Sequence, residues 1–245
     1  MSGGERTYDH YLIEAYLDPD TPSEGFPYDL PAVQAIRQQP LAFHPKVTYL
    51  TGENGTGKST LLEAVAEAMG FNPEGGTRNL HFSTRDSHSS LSEYVHVARG
   101  RTAHRGFFLR AESFYNVAST IDDIGVTDYY GGRSLHDQSH GESFLALAAN
   151  QFGGDGVFFL DEPEAALSPG RQLTILAILH RSISAGSQYV IATHSPILMA
   201  YPDSWIYRLD ESGLDKIAYD DAEAVQITRN FLASPERMLR HLFAD

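Results

Sequence analysis

The 245-residue sequence contains no cysteine. That excludes a disulfide framework, a cysteine nucleophile and cysteine-ligated zinc, and it fits a reducing compartment. Positive charge is scarce: 18 Lys and Arg stand against 32 Asp and Glu, for a net −14 with the 11 histidines neutral. A protein that coats nucleic acid over its whole surface needs the opposite balance. Long apolar runs are missing too. No stretch approaches the roughly 18 residues of a membrane-spanning helix, and the start, Met1-Ser2-Gly3-Gly4-Glu5-Arg6, lacks the basic flank and apolar core of a secretory signal. A cytoplasmic location is therefore expected. What is present is a globular composition, 42% apolar and 11% aromatic. The length suits one large domain, expected to span residues 1–245 with 71–138 as an inserted helical or irregular lobe.

The scarce positive charge is unevenly spread. From Arg78 to Arg110 there are six arginines (78, 85, 99, 101, 105, 110) against Asp86 and Glu93, so this segment is +4 and the rest of the chain −18. His81, His88, His96 and His104 lie in the same stretch. A solvated irregular face accounts for such a segment; a local phosphate or nucleic-acid contact surface is the functional alternative.

Patterning along the chain alternates strands and helices. The first forty residues, rich in Pro, Asp and Tyr, read as loops with short strands, giving a small N-terminal antiparallel β part. Val47–Leu50 reads as a strand and Gly57–Met69 as a helix with Leu61, Leu62, Val65, Ala66 and Met69 on one side, stopped by Gly70. Phe107–Leu109 reads as a buried strand, Glu112–Ile124 as a helix, 125–138 as a Gly-rich loop, and Ser139 opens a further helical pattern. Val157-Phe158-Phe159-Leu160 is a continuous apolar run, the mark of a parallel strand buried on both faces. Ser168 suits an N-cap and Pro169 the first helical position of an amphipathic helix to Ile183. Tyr189–Ala192 and Trp205–Leu209 read as strands, and the chain ends in helical patterns with Leu239, Leu242 and Phe243 as anchors. The alternation predicts an α/β fold with a mostly parallel central sheet flanked by helices.

Chemistry concentrates at two places on that pattern. Gly52-Glu53-Asn54-Gly55-Thr56-Gly57-Lys58-Ser59, followed by Thr60, matches G-x-x-x-x-G-K-S/T between a predicted strand and a predicted helix. Glycines let the backbone wrap phosphates with its N–H groups inward, and the helix N-terminus favours the anion. Lys58 can reach the outer phosphates and the Ser59 hydroxyl can ligate Mg2+. Leu160-Asp161-Glu162 then places two acids at the end of a parallel strand, the edge where α/β sheets bind ligands. Asp161 would hold Mg2+, and Glu162 would orient and polarise an attacking water. The histidines show no H-E-x-x-H pair and no zinc spacing, so no catalytic transition metal is expected.

Further motifs resemble those of the ABC superfamily of ATPases. Gln138-Ser139-His140-Gly141-Glu142-Ser143, about 20 residues before Asp161, resembles its signature motif, with His140 in place of the commoner glycine. As a plain sequence, Ser139 and Glu142 also form a capping box. Ala192-Thr193-His194-Ser195-Pro196 resembles the switch-histidine segment, and Pro163-Glu164-Ala165-Ala166-Leu167-Ser168-Pro169 the D-loop. With the runs Phe108-Leu109-Arg110-Ala111-Glu112-Ser113 and Pro235-Glu236-Arg237-Met238-Leu239, the chain is most similar to stand-alone bacterial ATPases of the RecF/SMC/OLD-like kind.

The resemblance implies Mg-dependent ATP hydrolysis in an ATP-sandwiched homodimer. In it Ser139, Gly141 and Glu142 serve the γ-phosphate held by the opposite subunit, and His194 meets the γ-phosphate and the attacking water. The superfamily's Q-loop glutamine has no counterpart, since residues 60–137 contain no glutamine. Glu112 takes the corresponding place and is the third expected contact to magnesium. That departure disfavours the subunit of a membrane transporter and favours a soluble switch, with DNA maintenance or defence as settings. An adenine platform requires an aromatic or arginine plane, and Tyr8, Tyr11, Phe26, Tyr28 and Phe43 all qualify.

Overall fold

A computed structural model of the chain describes residues 10–77, 90–111, 114, 118, 119 and 139–244. Two sheets of different character organise it. The smaller is antiparallel, with β1 (Leu12–Leu17) between β2 (Leu41–Ala42) and β4 (Val95–Arg99). The N-terminal β part is thus as expected, but its third strand comes from inside the 71–138 stretch expected to be a helical or irregular lobe. The first forty residues also hold a helix, α1 (Pro31–Gln38). Pro31 sits in its first turn, where no N–H is missed, and Ala32, Val33, Ala35 and Ile36 are buried. Eight residues between proline-rich flanks are too few for that stripe to stand out.

The larger sheet has the order β5 (Arg105–Arg110), β6 (Gly156–Asp161), β7 (Gln188–Ala192), β3 (Val47–Thr51), β8 (Trp205–Asp210), β9 (Gly213–Ile217). All neighbours are parallel except β8 and β9, a hairpin at the edge. Every residue of β3, β6 and β7 is buried. Successive side chains of β6 go to opposite faces. Val157 and Phe159 join Leu61, Leu62 and Val65 of α2 (Lys58–Ala68), whereas Phe158 and Leu160 join Phe144 and Leu147 of α3 (His140–Gln151) and Ile175 and Leu179 of α4 (Pro169–Ser184). Helices therefore cover both faces, which is why the strand shows no polar alternation. The fold is α/β as predicted.

The remaining helices are α5 (Pro196–Met199), α6 (Glu223–Ala233) and α7 (Pro235–Leu242). Here one expectation fails. Leu242 and Phe243 are 68% and 77% exposed and anchor nothing in the core, because both sheet faces are already covered and α7 rests against α6. Ser168 occupies the N-cap of α4 with Pro169 next, as predicted, but its hydroxyl makes no capping bond. The helix predicted over Glu112–Ile124 and the 125–138 loop lie almost wholly outside the described residues. Among the described residues no helix is long and apolar enough to cross a membrane.

One buried side chain ties the two sheets together. Gln188 of β7 accepts from the Tyr11 and Leu12 backbone N–H groups at 3.0 and 2.8 Å and donates to the Leu12 and His44 carbonyls at 2.7 and 3.0 Å. Replacing it by leucine orphans four buried backbone groups. Gln188→Leu is expected to cost on the order of 3 kcal/mol or more in urea unfolding; a cost within error of zero would show that the sheets dock without this bridge.

Candidate functional site

The sheet register assembles the site. Leu50 of β3 pairs with Ala192 of β7, and Ala192 with Asp161 of β6, so three parallel strands end level. The ladder continues past them, with Glu162 N–H donating to Ala192 O at 2.9 Å and Thr193 N–H to Leu50 O at 3.1 Å. The loop after β3, the acids at the end of β6 and the histidine after β7 therefore leave the sheet side by side.

Residues 52–57 form the loop and Lys58 opens α2. Gly52 must be glycine: at φ 146° a Cβ would lie 2.1 Å from the Leu209 carbonyl oxygen of β8. Gly57, at φ 91°, would press a Cβ within 2.9 Å of the Leu30 side chain at the start of α1. Lys58 is only 4% exposed and donates to the Gly52 and Glu53 carbonyls at 2.8 and 2.7 Å. Burial pulls its pKa down, while the carboxylates of Glu162, Asp161 and Glu164 work in the opposite direction. The ammonium thus sits between the loop backbone and three acids.

Ser59, next on α2, donates to Asp161 Oδ1 at 2.8 Å. A hydroxyl and a carboxylate oxygen held this close are the hard donors that suit magnesium. Asp161 Oδ2 faces Arg110 Nε at 3.7 Å, and the Arg110 guanidinium also pairs with Glu63 and donates to Pro73 O at 3.1 Å. Sequence reasoning missed Arg110. Its register partner across the sheet is Asp161 itself, a relation invisible without the strand order. Glu162 has a left-handed backbone, φ 47° and ψ 50°, which turns the chain off the strand into the short turn Pro163–Ala166. Its Oε1 lies 3.9 Å from His194 Nε2.

The expected adenine platforms separate by burial. Tyr11, Tyr28 and Phe43 belong to the core, and Tyr8 lies outside the described residues. Phe26 is 79% exposed and lines a cleft of about 420 Å³ with Gly57, Lys58, Ser59, Thr60 and Glu162. A second cleft, about 790 Å³, opens over Gly52, Glu53, Asn54 and His194 on the other side of the loop.

The signature-like residues lie elsewhere. Ser139 N–H donates to Glu142 Oε2 at 3.1 Å, half of the capping box. Arg171 of α4 reaches Glu142 Oε1 at 3.1 Å and Ser139 Oγ at 3.4 Å. The bonds from Ser139, with Arg171 beside them, hold the Glu142 carboxyl below the usual range. Gly141 admits no side chain: a Cβ would come within 2.8 Å of the Ala166 carbonyl oxygen. Glu112 lies outside the described residues. In the basic segment, three of the four described arginines answer groups of their own chain: Arg101 pairs with Asp155, Arg110 with Glu63, and Arg99 bonds the Ala68 carbonyl.

A phosphate-type loop between a parallel strand and a helix, with an acidic strand end two strands away and a histidine between, is the arrangement of the P-loop class of folds. Comparison with known proteins agrees. Two family profiles match: one described as "AAA domain" over residues 31–128, and one described as "AAA domain, putative AbiEii toxin, Type IV TA system" over residues 116–200. The cytochrome c biogenesis ATP-binding export protein CcmA of Rhizobium etli is 30% identical over 166 residues, 60% of this chain and 75% of that protein. The iron(3+)-hydroxamate import ATP-binding protein FhuC of Bacillus subtilis is 29% identical over 158 residues, 56% of this chain and 58% of that one. An SMC head domain from Thermotoga maritima superposes with a TM-score of 0.48 at 15% identity, across 85% of this chain and 99% of that chain. The chain belongs to the family of ABC-type ATPases.

Proposed function

We propose that the chain binds Mg-ATP and hydrolyses it to ADP and phosphate, working as a nucleotide-sandwiched homodimer. The observation that carries this reading is the level ending of β3, β7 and β6, which sets Lys58, the Ser59–Asp161 pair, Glu162 and His194 around one edge of the sheet. In this reading the loop N–H groups of residues 52–57 and the Lys58 ammonium take the β- and γ-phosphates. Ser59 and Asp161 hold magnesium, which when bound neutralises phosphate charge and orients the terminal group. Glu162 aligns the attacking water and accepts its proton. His194, beside it, donates to the γ-phosphate oxygen. Phe26, with its exposed ring at the Thr60 side of the cleft, stacks on adenine.

The exposed N-terminus of α3, with Ser139 and Glu142 at the surface, serves the γ-phosphate of the opposite subunit. Hydrolysis removes the group that bridges the halves, so ATP and ADP favour different states of the pair. The purified chain is expected to release phosphate from ATP with magnesium and to stop when EDTA removes the metal. Release that is absent, or indifferent to EDTA, overturns the reading.

The names of the relatives support a second reading, the ATP-binding subunit of a membrane export or import complex. The absence of glutamine from residues 60–137 argues for the stand-alone switch. Co-purification with a membrane protein decides for the second reading.

A further inference from the structure

His194 is gripped from a direction that the family motifs do not describe. The sheet ladder ends with Thr193, whose N–H still finds Leu50 O. The next donor, the His194 N–H, has passed the end of β3 and is taken by a side chain from another loop: Glu164 Oε1 accepts it at 2.6 Å. Glu164 lies two residues after Glu162, on the same turn Pro163–Ala166. That turn holds His194 at its backbone through Glu164, and Glu162, just before the turn, stands 3.9 Å from its ring Nε2.

A second bridge reinforces the first. Gln172 of α4, buried, donates to Leu167 O at 3.1 Å and accepts from Ser195 Oγ at 2.6 Å. Ser195 in turn accepts from the Ile197 and Leu198 N–H groups at the start of α5. The acid-bearing segment and the histidine segment are thus tied at two successive residues, His194 and Ser195. Two buried atoms here, Glu164 Oε2 and His194 Nε2, have no hydrogen-bond partner among the described residues. A group of atoms held together this closely, with acceptor and donor capacity in reserve, is built to orient something rather than merely to pack.

We propose that Glu164 is a positioning residue for His194: its backbone-bound carboxylate sets where the imidazole stands relative to Glu162, and so how well the pair acts on the γ-phosphate and its water. This rests on the role given to His194 above. A glutamine at 164 retains an oxygen that can accept the His194 N–H, whereas alanine leaves that donor unpaired.

The test is a double-mutant cycle on the full chain. Glu164→Ala is expected to lower kcat about ten-fold or more while leaving the affinity for a non-hydrolysable ATP analogue within about two-fold. Glu164→Gln is expected to restore the rate to within about three-fold of wild type. In a His194→Ala background, Glu164→Ala is expected to change kcat by less than about two-fold, because the group it positions is gone. Equal rate losses in both backgrounds, a glutamine variant as slow as the alanine one, or a wild-type rate for Glu164→Ala overturns the proposal while the His194 role stands. A wild-type rate for His194→Ala overturns that role itself, and this proposal with it.

Discussion

Lys58→Ala is expected to weaken ATP binding by at least about 100-fold, read by calorimetry in magnesium buffer. The lysine is almost wholly buried, and its charge is drawn toward the loop carbonyls of Gly52 and Glu53 on one side and toward Asp161, Glu162 and Glu164 on the other. Its burial disfavours the charged form, a cost that is offset when an anion arrives beside it. Hydrogen bonds between charged partners contribute about 1.5–3 kcal/mol each. Two such bonds to phosphate oxygens lie behind the expected factor. Arg110, the guanidinium near the acids, is engaged by Glu63 and the Pro73 carbonyl and does not stand in for the lysine. A melting temperature close to wild type separates lost binding from lost folding. Unchanged affinity would remove the phosphate loop from the site.

Glu162→Gln is expected to retain ATP and lose turnover by about 100-fold or more, the usual contribution of a positioned general base. The amide has the shape of the carboxylate and the same left-handed backbone to occupy at φ 47°, so the cleft stays intact while the proton acceptor is gone. Glu162 is not among the ligands assigned to magnesium, which leaves Ser59 and Asp161 with their 2.8 Å contact. With hydrolysis blocked, the sandwiched state has no route to open, so this variant is expected to elute with ATP at twice the mass of the single chain in size-exclusion chromatography. An ATP-loaded protein that elutes as a single chain overturns the dimer while leaving the hydrolytic role of Glu162 to the phosphate-release rate.

The parts legible in the sequence are those specified by neighbours along the chain. The phosphate loop declares itself because its glycines, lysine and serine are contiguous and their backbone needs are local. β6 declares itself because burial on both faces leaves no polar interruption. The relations that build the site are not local. Nothing in a run of residues says that β7 lies between β3 and β6, so the closeness of His194 to Glu162 could be inferred only from resemblance. Arg110 faces Asp161 through strand register, and Glu164 reaches His194 through a turn whose direction depends on a left-handed residue. Phe26 is one of five candidate aromatics in the sequence, and burial of Tyr11, Tyr28 and Phe43 leaves it the exposed one among the described residues. The terminal helix misled because Leu239, Leu242 and Phe243 have helical spacing, and spacing does not reveal that the sheet faces have no room left.

The position of β7 also bears on how the chain matures. β3 and β6 are translated well before it, yet they have no ladder between them except through it. Until about residue 192 has left the ribosome, β3 and β6 share no sheet, and each has an open strand edge. The site is completed by a late, long-range insertion into the middle of the sheet, the kind of step that makes parallel folds slow. Newly made chains therefore carry the facing edges of β3 and β6 unpaired until β7 is made.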